Sequence, residues 1–368
     1  MTNESYQELQ QQSLTENFIS RFPDIMKYVK SIEESINKDR LQMRTKLLQK
    51  NLLKKDNTLF EKYPDLEKQF CDCSAIDGSS VTDQYEIGDI IACCAVRLNY
   101  SNMTSIGDQR KFLCFVPHYS VNRAICTAIM FRDEVNLAAN SNTGLVMLDG
   151  SLFTPIIALN FGITQSKGLN TEATVYLEDR IYNFFLNYKK IFEDRDRIYV
   201  ACLKGTERKD ISNLMSWYHN CNELWLMDKV LLPGEYIQPS ILPRLDKNEQ
   251  KPWDIAYLFK RFNDSRLDRI IKEVEVLLDN NTAFCFYKPD KWSRILRLEF
   301  PLHNTYDEKK FATLLAGIRS NSCKNILIKE PELLYLADRQ AKEIHAVMKT
   351  MKMLMPSSHY RSETIFMD

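Results

Sequence analysis

The sequence predicts an α/β fold, a mixed sheet flanked by helices, with a helical extension at its N-terminus. Three observations predict it. Apolar runs of strand length crowd the region from Cys73 to Leu148, strand-like and helix-like runs alternate beyond it, and apolar residues recur at helical spacing ahead of it. The chain has 368 residues, 44% of them apolar, which is ample for one large domain or two moderate ones.

The elements follow in order. Residues 1–13 are polar and are expected to fray. Phe18, Phe22, Ile25, Val29, Ile32 and Ile36 mark one face of a helix. Pro23 suits a first turn better than an interior, so the main helix is expected to start near it and to run to Lys38 or beyond. Between Lys38 and Asp56 basic residues outnumber acidic ones, and Lys46, Lys50 and Lys54 stack on one face. That face is either solvated or turned toward nucleic acid or a partner. Strands are expected at Cys73–Ile76, Asp89–Leu98, Phe112–Val116, Leu145–Leu148 and Thr154–Ala158, with Asn122–Asn140 helical in part. Glu178–Glu193 is an amphipathic helix, Arg197–Leu203 a strand and Ile211–Cys221 a helix. The Pro-rich stretch Pro233–Pro252 is a surface excursion. Ala283–Tyr287 and Ile295–Phe300 pair as a hairpin. Asp307–Ser320 is helical, Asn325–Ile328 a strand and Glu332–Met355 a long closing helix. The chain thus divides into an extension over 1–69, which would contact a partner or a second copy, a domain over 70–355 and a tail over 356–368.

Composition excludes several classes. With 19 Phe and 17 Tyr the chain is not disordered as a whole, and with 10 Gly it is not collagenous. No apolar run approaches ~18 residues and the N-terminus lacks a basic then apolar leader, so an intracellular, cytoplasmic protein with no membrane partner is expected. Lys+Arg 49 and Asp+Glu 49 cancel, so global charge announces no nucleic acid, although a local basic patch remains open. The 10 Cys sit mostly in apolar runs and form no CxxC pair, which suits buried reduced thiols rather than zinc.

One tripeptide carries chemistry. Asp77-Gly78-Ser79 and Asp149-Gly150-Ser151 each follow an apolar strand, in a chain where the tripeptide is expected about 0.1 times. Asp-Gly is ordinary turn punctuation, but a carboxylate at the end of two buried strands costs free energy unless something positive meets it. Glu134 precedes the second Asp, with Asp133 as its neighbour and competitor. Three hard oxygen donors suit Mg²⁺ or Mn²⁺, and such clusters support phosphodiester hydrolysis. Lys204, at a strand end, pairs with a phosphate, steadies a carboxylate or faces solvent. Asp228 is a further acid near the site or a helix-face residue beside Lys229. Glu299 points to solvent or bridges to Arg297. Trp217, Tyr218, Trp225, Trp253 and Tyr257 read as core rather than as a stacking platform. Leu203-Lys204-Gly205-Thr206 lacks the first Gly of a phosphate loop, so ATP-driven work would come from a partner.

Several motifs in one order resemble the NurA nucleases. These are Ile76-Asp77-Gly78-Ser79-Ser80, Glu134 ahead of Leu148-Asp149-Gly150-Ser151-Leu152, Val200-Ala201-Cys202-Leu203-Lys204, the Asp228 segment running into Pro233-Gly234-Glu235, and Arg297-Leu298-Glu299-Phe300-Pro301. The resemblance spans roughly residues 70–345. It implies an RNase H-like core, a homodimer and a Mn²⁺-dependent (or Mg²⁺-dependent) deoxyribonuclease, acting as a 5′–3′ exonuclease, a single-strand endonuclease or both. It also implies a hexameric HerA-type ATPase partner that translocates DNA, in end processing or phage defence. Carried over by position, Asp77, Glu134 and Asp149 hold the metal, with Lys204 among the catalytic residues. The C-terminal part departs from the family. Asp338 stands where a His ligand is expected and Glu330 where a Tyr is expected. An Asp oxygen can replace an imidazole nitrogen on Mn²⁺, and His345 is the alternative last ligand. These departures keep a second reading open, an RNase H-like scaffold whose metal site has decayed and which only gates the ATPase. Action on RNA is a third, since the sequence does not separate the sugars.

Overall fold

The computed structural model describes residues 3–68, 72–100, 107–205, 208–217, 221–241, 264–322 and 328–354. The elements in chain order are α1 (Asn3–Gln49), β1 (Leu53–Lys55), α2 (Asp56–Lys62), β2 (Cys73–Tyr85), β3 (Gly88–Asn99), β4 (Asp108–Val116), α3 (Asn122–Ala139), β5 (Leu145–Asp149) and α4 (Thr154–Gln165). They continue with α5 (Glu172–Glu178), α6 (Ile181–Glu193), β6 (Ile198–Leu203), α7 (Asp210–Met215), α8 (Glu223–Val230), β7 (Glu235–Ile237), β8 (Ser240–Ile241) and α9 (Ser265–Asn280). The last are β9 (Thr282–Lys288), β10 (Leu296–Pro301), α10 (His303–Tyr306), α11 (Glu308–Ser320), α12 (Glu332–Ala341) and α13 (Glu343–Leu354).

All ten strands join one mixed sheet, in the order β1-β7-β9-β10-β6-β5-β2-β3-β4 with β8 beside β9. Its centre is parallel: β5 lies between β2 and β6 and runs with both. The flanks are antiparallel, with β2-β3-β4 as a meander on one side and β9-β10 as the expected hairpin on the other. Strand alternation sorts the core into two layers. Ile76, Leu148 and Ala201 face α3, α4, α6 and α9, whereas Ala75, Met147 and Cys202 face α11 and α12.

Several expectations need correction. Thr154–Ala158 is not a strand but the first turns of α4, where Pro155 sits in the opening turn and Ile156, Leu159 and Ile163 form one buried stripe. A short apolar run has no length to separate the two periods. Helix α1 starts at Asn3, not near Pro23, and passes through that proline. Pro23 is exposed there, so water satisfies the carbonyl that loses its helical partner. The lysine row breaks after α1 ends, since Lys54 lies on β1. Helix α7 stops at Met215, where Ser216 turns left-handed at φ 54°. The closing helix is two, α12 and α13, parted at Lys342. Most of Asn325–Ile328, and Pro233–Pro252 beyond Ile241, lie outside the described residues. The eight described cysteines are free, and all but the half-buried Cys221 are buried.

Helix α1 joins the domain through its C-terminal half. Ile36, Met43 and Leu47 are buried in the core layer shared with α8, while Phe22, Ile25 and Val29 stay exposed. Arg44 forks onto Glu235 with bonds of 2.6 and 2.7 Å and donates to the Val230 carbonyl at 2.6 Å. Glu235 is buried, so losing its cation leaves an uncompensated charge. Arg44→Met should therefore cost about 3 kcal/mol in urea denaturation, with the double variant Arg44→Met/Glu235→Leu recovering most of it. Equal losses in the single and double variants would show that the pair itself is not what holds the helix.

Candidate active site

The parallel centre of the sheet places the acids. Ile76 on β2 lies opposite Leu148 on β5, so Asp77 and Asp149 leave neighbouring strands at the same level. Asp149 in turn lies opposite Cys202 on β6, two residues before Lys204. All three share the strand parity of the α12 face, Asp149 and Lys204 at the carboxyl ends of β5 and β6 and Asp77 just past the parallel pairing of β2, which runs on to Tyr85 rather than ending at Ile76.

Glu134 arrives from the opposite layer, on α3. It reaches the others because residue 78 has no side chain: a Cβ on Gly78 would lie 2.4 Å from Glu134 Oε1 and 2.7 Å from Met130 Cγ. Asp133, the neighbouring acid, turns away and binds Arg132 at 2.9 Å, while Arg132 also donates to the Tyr176 carbonyl at 2.7 Å. Gly150 turns the chain after Asp149 at φ +88°, a conformation that favours glycine.

Electrostatics reveal the crowding. Burial, then repulsion from Asp149, pushes the Asp77 carboxyl up to about 8, against the opposing Gly78 N–H, which donates to Asp77 Oδ1 at 2.7 Å. Burial, then Asp77 and Asp149, raises Glu134 well above the carboxylate range. Lys204 is the local cation. Burial would lower its pKa, but the Asp149 and Glu330 carboxylates raise it, with Nζ 2.8 Å from Asp149 and an ion pair to Glu330. Lys204 thus steadies a carboxylate, one of its three expected roles. Asp77, Glu134, Asp149 and Lys204 line a cavity of about 400 Å³.

The remaining residues fall around this centre. Asp338 on α12 binds Lys342 at 2.8 Å, and its charge reaches Asp77. His345 Nε2 lies 2.9 Å from Ser79 Oγ, two residues along β2 from Asp77. Asp228 pairs with Lys288 at 2.9 Å instead of joining the acids. Glu299 does not point to solvent. It is buried, receives Arg297 Nε at 3.2 Å, and accepts from Ser151 Oγ at 2.6 Å and Leu152 N at 3.3 Å. Arg297 is itself fully buried, 2.7 Å from Asp210 and stacked on Phe284. The turn that presents Asp149 is therefore braced from β10. Sequence reasoning missed this link and the Glu330–Lys204 pair, because both join residues far apart in the chain. The near-duplicate Ser79 and Ser151 gave no sign that one would meet His345 and the other Glu299.

The donor set fits a hard divalent cation in chemistry. Three carboxylates converge, and Asp77 Oδ2 is buried with no hydrogen-bond partner among the described residues. Among the described residues no three acidic, His or Cys side chains stand close enough together to hold a metal ion as they are placed.

Comparison with known proteins places the chain in a family. The NurA domain model matches residues 71–343. The chain belongs to the NurA family. Its fold resembles the crystal structure of the NurA nuclease from Sulfolobus solfataricus, at 13% identity and a TM-score of 0.54, covering 97% of this chain and 99% of that one. A crystal structure of NurA bound to dAMP and manganese matches at 11% identity and a TM-score of 0.47, over 87% of this chain and 98% of that one. Among curated proteins none matches. Among the described residues no helix is long and apolar enough to cross a membrane.

The raised Asp77 pKa has a sign that can be measured. From 3.8, its ordinary value, to about 8 the folded chain keeps a proton that the unfolded chain releases. Stability in chelator therefore falls as pH rises through that window. Asp77→Asn should melt above wild type near pH 8 in chelator, and divalent cation should close the gap by stabilising wild type alone. A variant melting at or below wild type there would contradict the repulsion.

Proposed function

We propose that the chain is a DNA nuclease that hydrolyses phosphodiester bonds with Mn²⁺ (or Mg²⁺) held by Asp77, Glu134 and Asp149, with Asp338 completing the set. The observation that carries this reading is the convergence of three carboxylates on one cavity, with the Asp77 oxygen buried and unpartnered. A structure of NurA with manganese and one with dAMP and manganese support the choice of ion and the class of product. Such an ion polarises a phosphoryl oxygen and lowers the pKa of an attacking water.

The chain's own residues do the rest. Burial and Asp149 push the Asp77 carboxyl up to about 8, so a divalent cation held there would compete with its proton and bind more tightly as pH rises. Lys204 stays charged between Asp149 and Glu330, where it orients Asp149 and faces the phosphate that enters the cavity. Glu299 fixes the Ser151 turn and so the level of Asp149. Gly78 leaves the passage through which Glu134 meets Asp77.

We further propose a cytoplasmic homodimer that works with a hexameric HerA-type ATPase in DNA end processing or phage defence. In this reading residues 70–355 carry the chemistry, followed by a tail over 356–368, and residues 1–69 make contact with the second copy. The exposed apolar row of Phe22, Ile25 and Val29 supports the contact, since a solvated helix has no need of it. In light scattering Phe22→Asp/Ile25→Asp should halve the particle mass, and a variant of unchanged mass would place the dimer elsewhere.

The nuclease itself is tested on linear duplex and single-stranded DNA with Mn²⁺, Mg²⁺ or chelator, with and without the ATPase. Cutting should require the cation and fall at least a hundredfold in Asp77→Asn, Asp149→Asn and Gly78→Ala, on the order expected when a metal site is broken. Absence of cutting under every cation, with the ATPase present, would contradict the reading and leave a scaffold that gates the ATPase. Equal cutting of RNA and DNA would contradict the choice of sugar.

A further inference from the structure

The acid cavity continues past Lys204. That lysine also lines a second cavity of about 180 Å³ with Arg294, Lys329 and Tyr335, and a third of about 470 Å³ with Trp225, Lys291 and Trp292. Arg294, Ile295 and Lys329 belong to both, so the walls join into one groove leading from the acids to the β9–β10 loop.

The groove is cationic. Lys204, Lys288, Lys291, Arg294 and Lys329 line it, against the carboxylates of Asp228 and Glu330. Those two carboxylates pair with Lys288 and Lys204, while Lys291, Arg294 and Lys329 are exposed. The far end carries an indole. Trp292 is 40% exposed, on a loop whose other large apolar neighbour, Ile295, is buried. The loop is held by its own hydrogen bonds. Asp290 Oδ1 accepts from Trp292 N at 2.6 Å and from Ser293 N at 2.8 Å, its Oδ2 accepts from Ser293 Oγ at 3.0 Å, and Arg294 N donates to the Lys329 carbonyl at 2.7 Å. Lys291 Nζ lies 4.7 Å from the Trp292 ring centroid, so ring and cation are presented together. Trp225, half-buried, forms part of the opposite wall and is not wholly core.

An exposed ring held in place beside a row of cations is how single strands are bound without regard to sequence, by stacking and by charge. A duplex hides its base faces in its own stack and offers no partner to the indole. We propose that this groove holds one DNA strand beside the scissile phosphate, its phosphates following Lys204, Lys329 and Arg294 and one unpaired base stacked on Trp292. The proposal deepens the nuclease reading of the acid site and rests on it for the identity of the strand, but binding in the groove needs no cation.

The test uses the full chain in chelator, where nothing is cut, and fluorescence anisotropy with a labelled oligothymidylate and an abasic oligodeoxyribonucleotide of the same length. Trp292→Ala should lose about tenfold in affinity for oligothymidylate and nothing for the abasic strand, and Trp292→Phe should restore most of the loss. Arg294→Gln and Lys329→Gln should weaken both probes alike and each reduce the salt slope by roughly 0.7. Unchanged oligothymidylate binding by Trp292→Ala would overturn the proposal, as would equal loss on both probes. Cutting that is intact while Trp292→Ala binds normally condemns the groove and spares the nuclease. The binding pattern above without any cutting condemns the nuclease and spares the groove.

Discussion

Asp77, Glu134 and Asp149 crowd one cavity, two of them where burial withholds water. Asp77 and Glu134 are buried, and each raises the pKa of the other or is raised by Asp149. A protein has only a few ways to tolerate this. It can protonate one member, supply a cation from its own chain or bind one from solution. Here burial and Asp149 push the Asp77 carboxyl up to about 8, the Lys204 ammonium lies 2.8 Å from Asp149, and the donor chemistry suits the third way.

The surrounding architecture follows from bringing the acids to one place. Parallel pairing of β2 with β5 and of β5 with β6 sets Asp77 and Asp149 at one level, with Lys204 two residues beyond it on the same face. Glu134 must come from the other layer, and only a residue without a Cβ at position 78 lets its carboxylate through. Behind the Asp149 turn the buried Arg297 holds Glu299, and Glu299 holds Ser151. A fully buried guanidinium is costly on its own, so Asp210 and Glu299 on either side of it are required for the brace to exist.

The central site was legible because its chemistry is local in the chain. A repeated Asp-Gly-Ser after an apolar strand and a Glu ahead of the second copy lie within one stretch of chain, β2 to β5, and the parallel register of those two strands does the rest. The strands from Cys73 to Leu148 and the β9–β10 hairpin were legible for the same reason. What stayed hidden depends on distant partners. Nothing near Glu330 announces Lys204, and nothing near Glu299 announces Ser151. Thr154–Ala158 is apolar enough for a strand, and only its packing against α3 decides for a helix. Pro23 argued against a helix interior, yet its exposure lets water take up the carbonyl it frees, which removes part of that cost. Trp292 sits among polar loop residues with no periodicity to mark it.

The most direct measurement of the central claim is an anomalous difference map from a crystal of the full chain soaked in Mn²⁺. One strong peak is expected in the cavity, ligated by Asp77, Glu134 and Asp149 together, with the Glu134 carboxylate passing Gly78 to reach it. A peak held without Glu134, or manganese bound only outside this cavity, would contradict it.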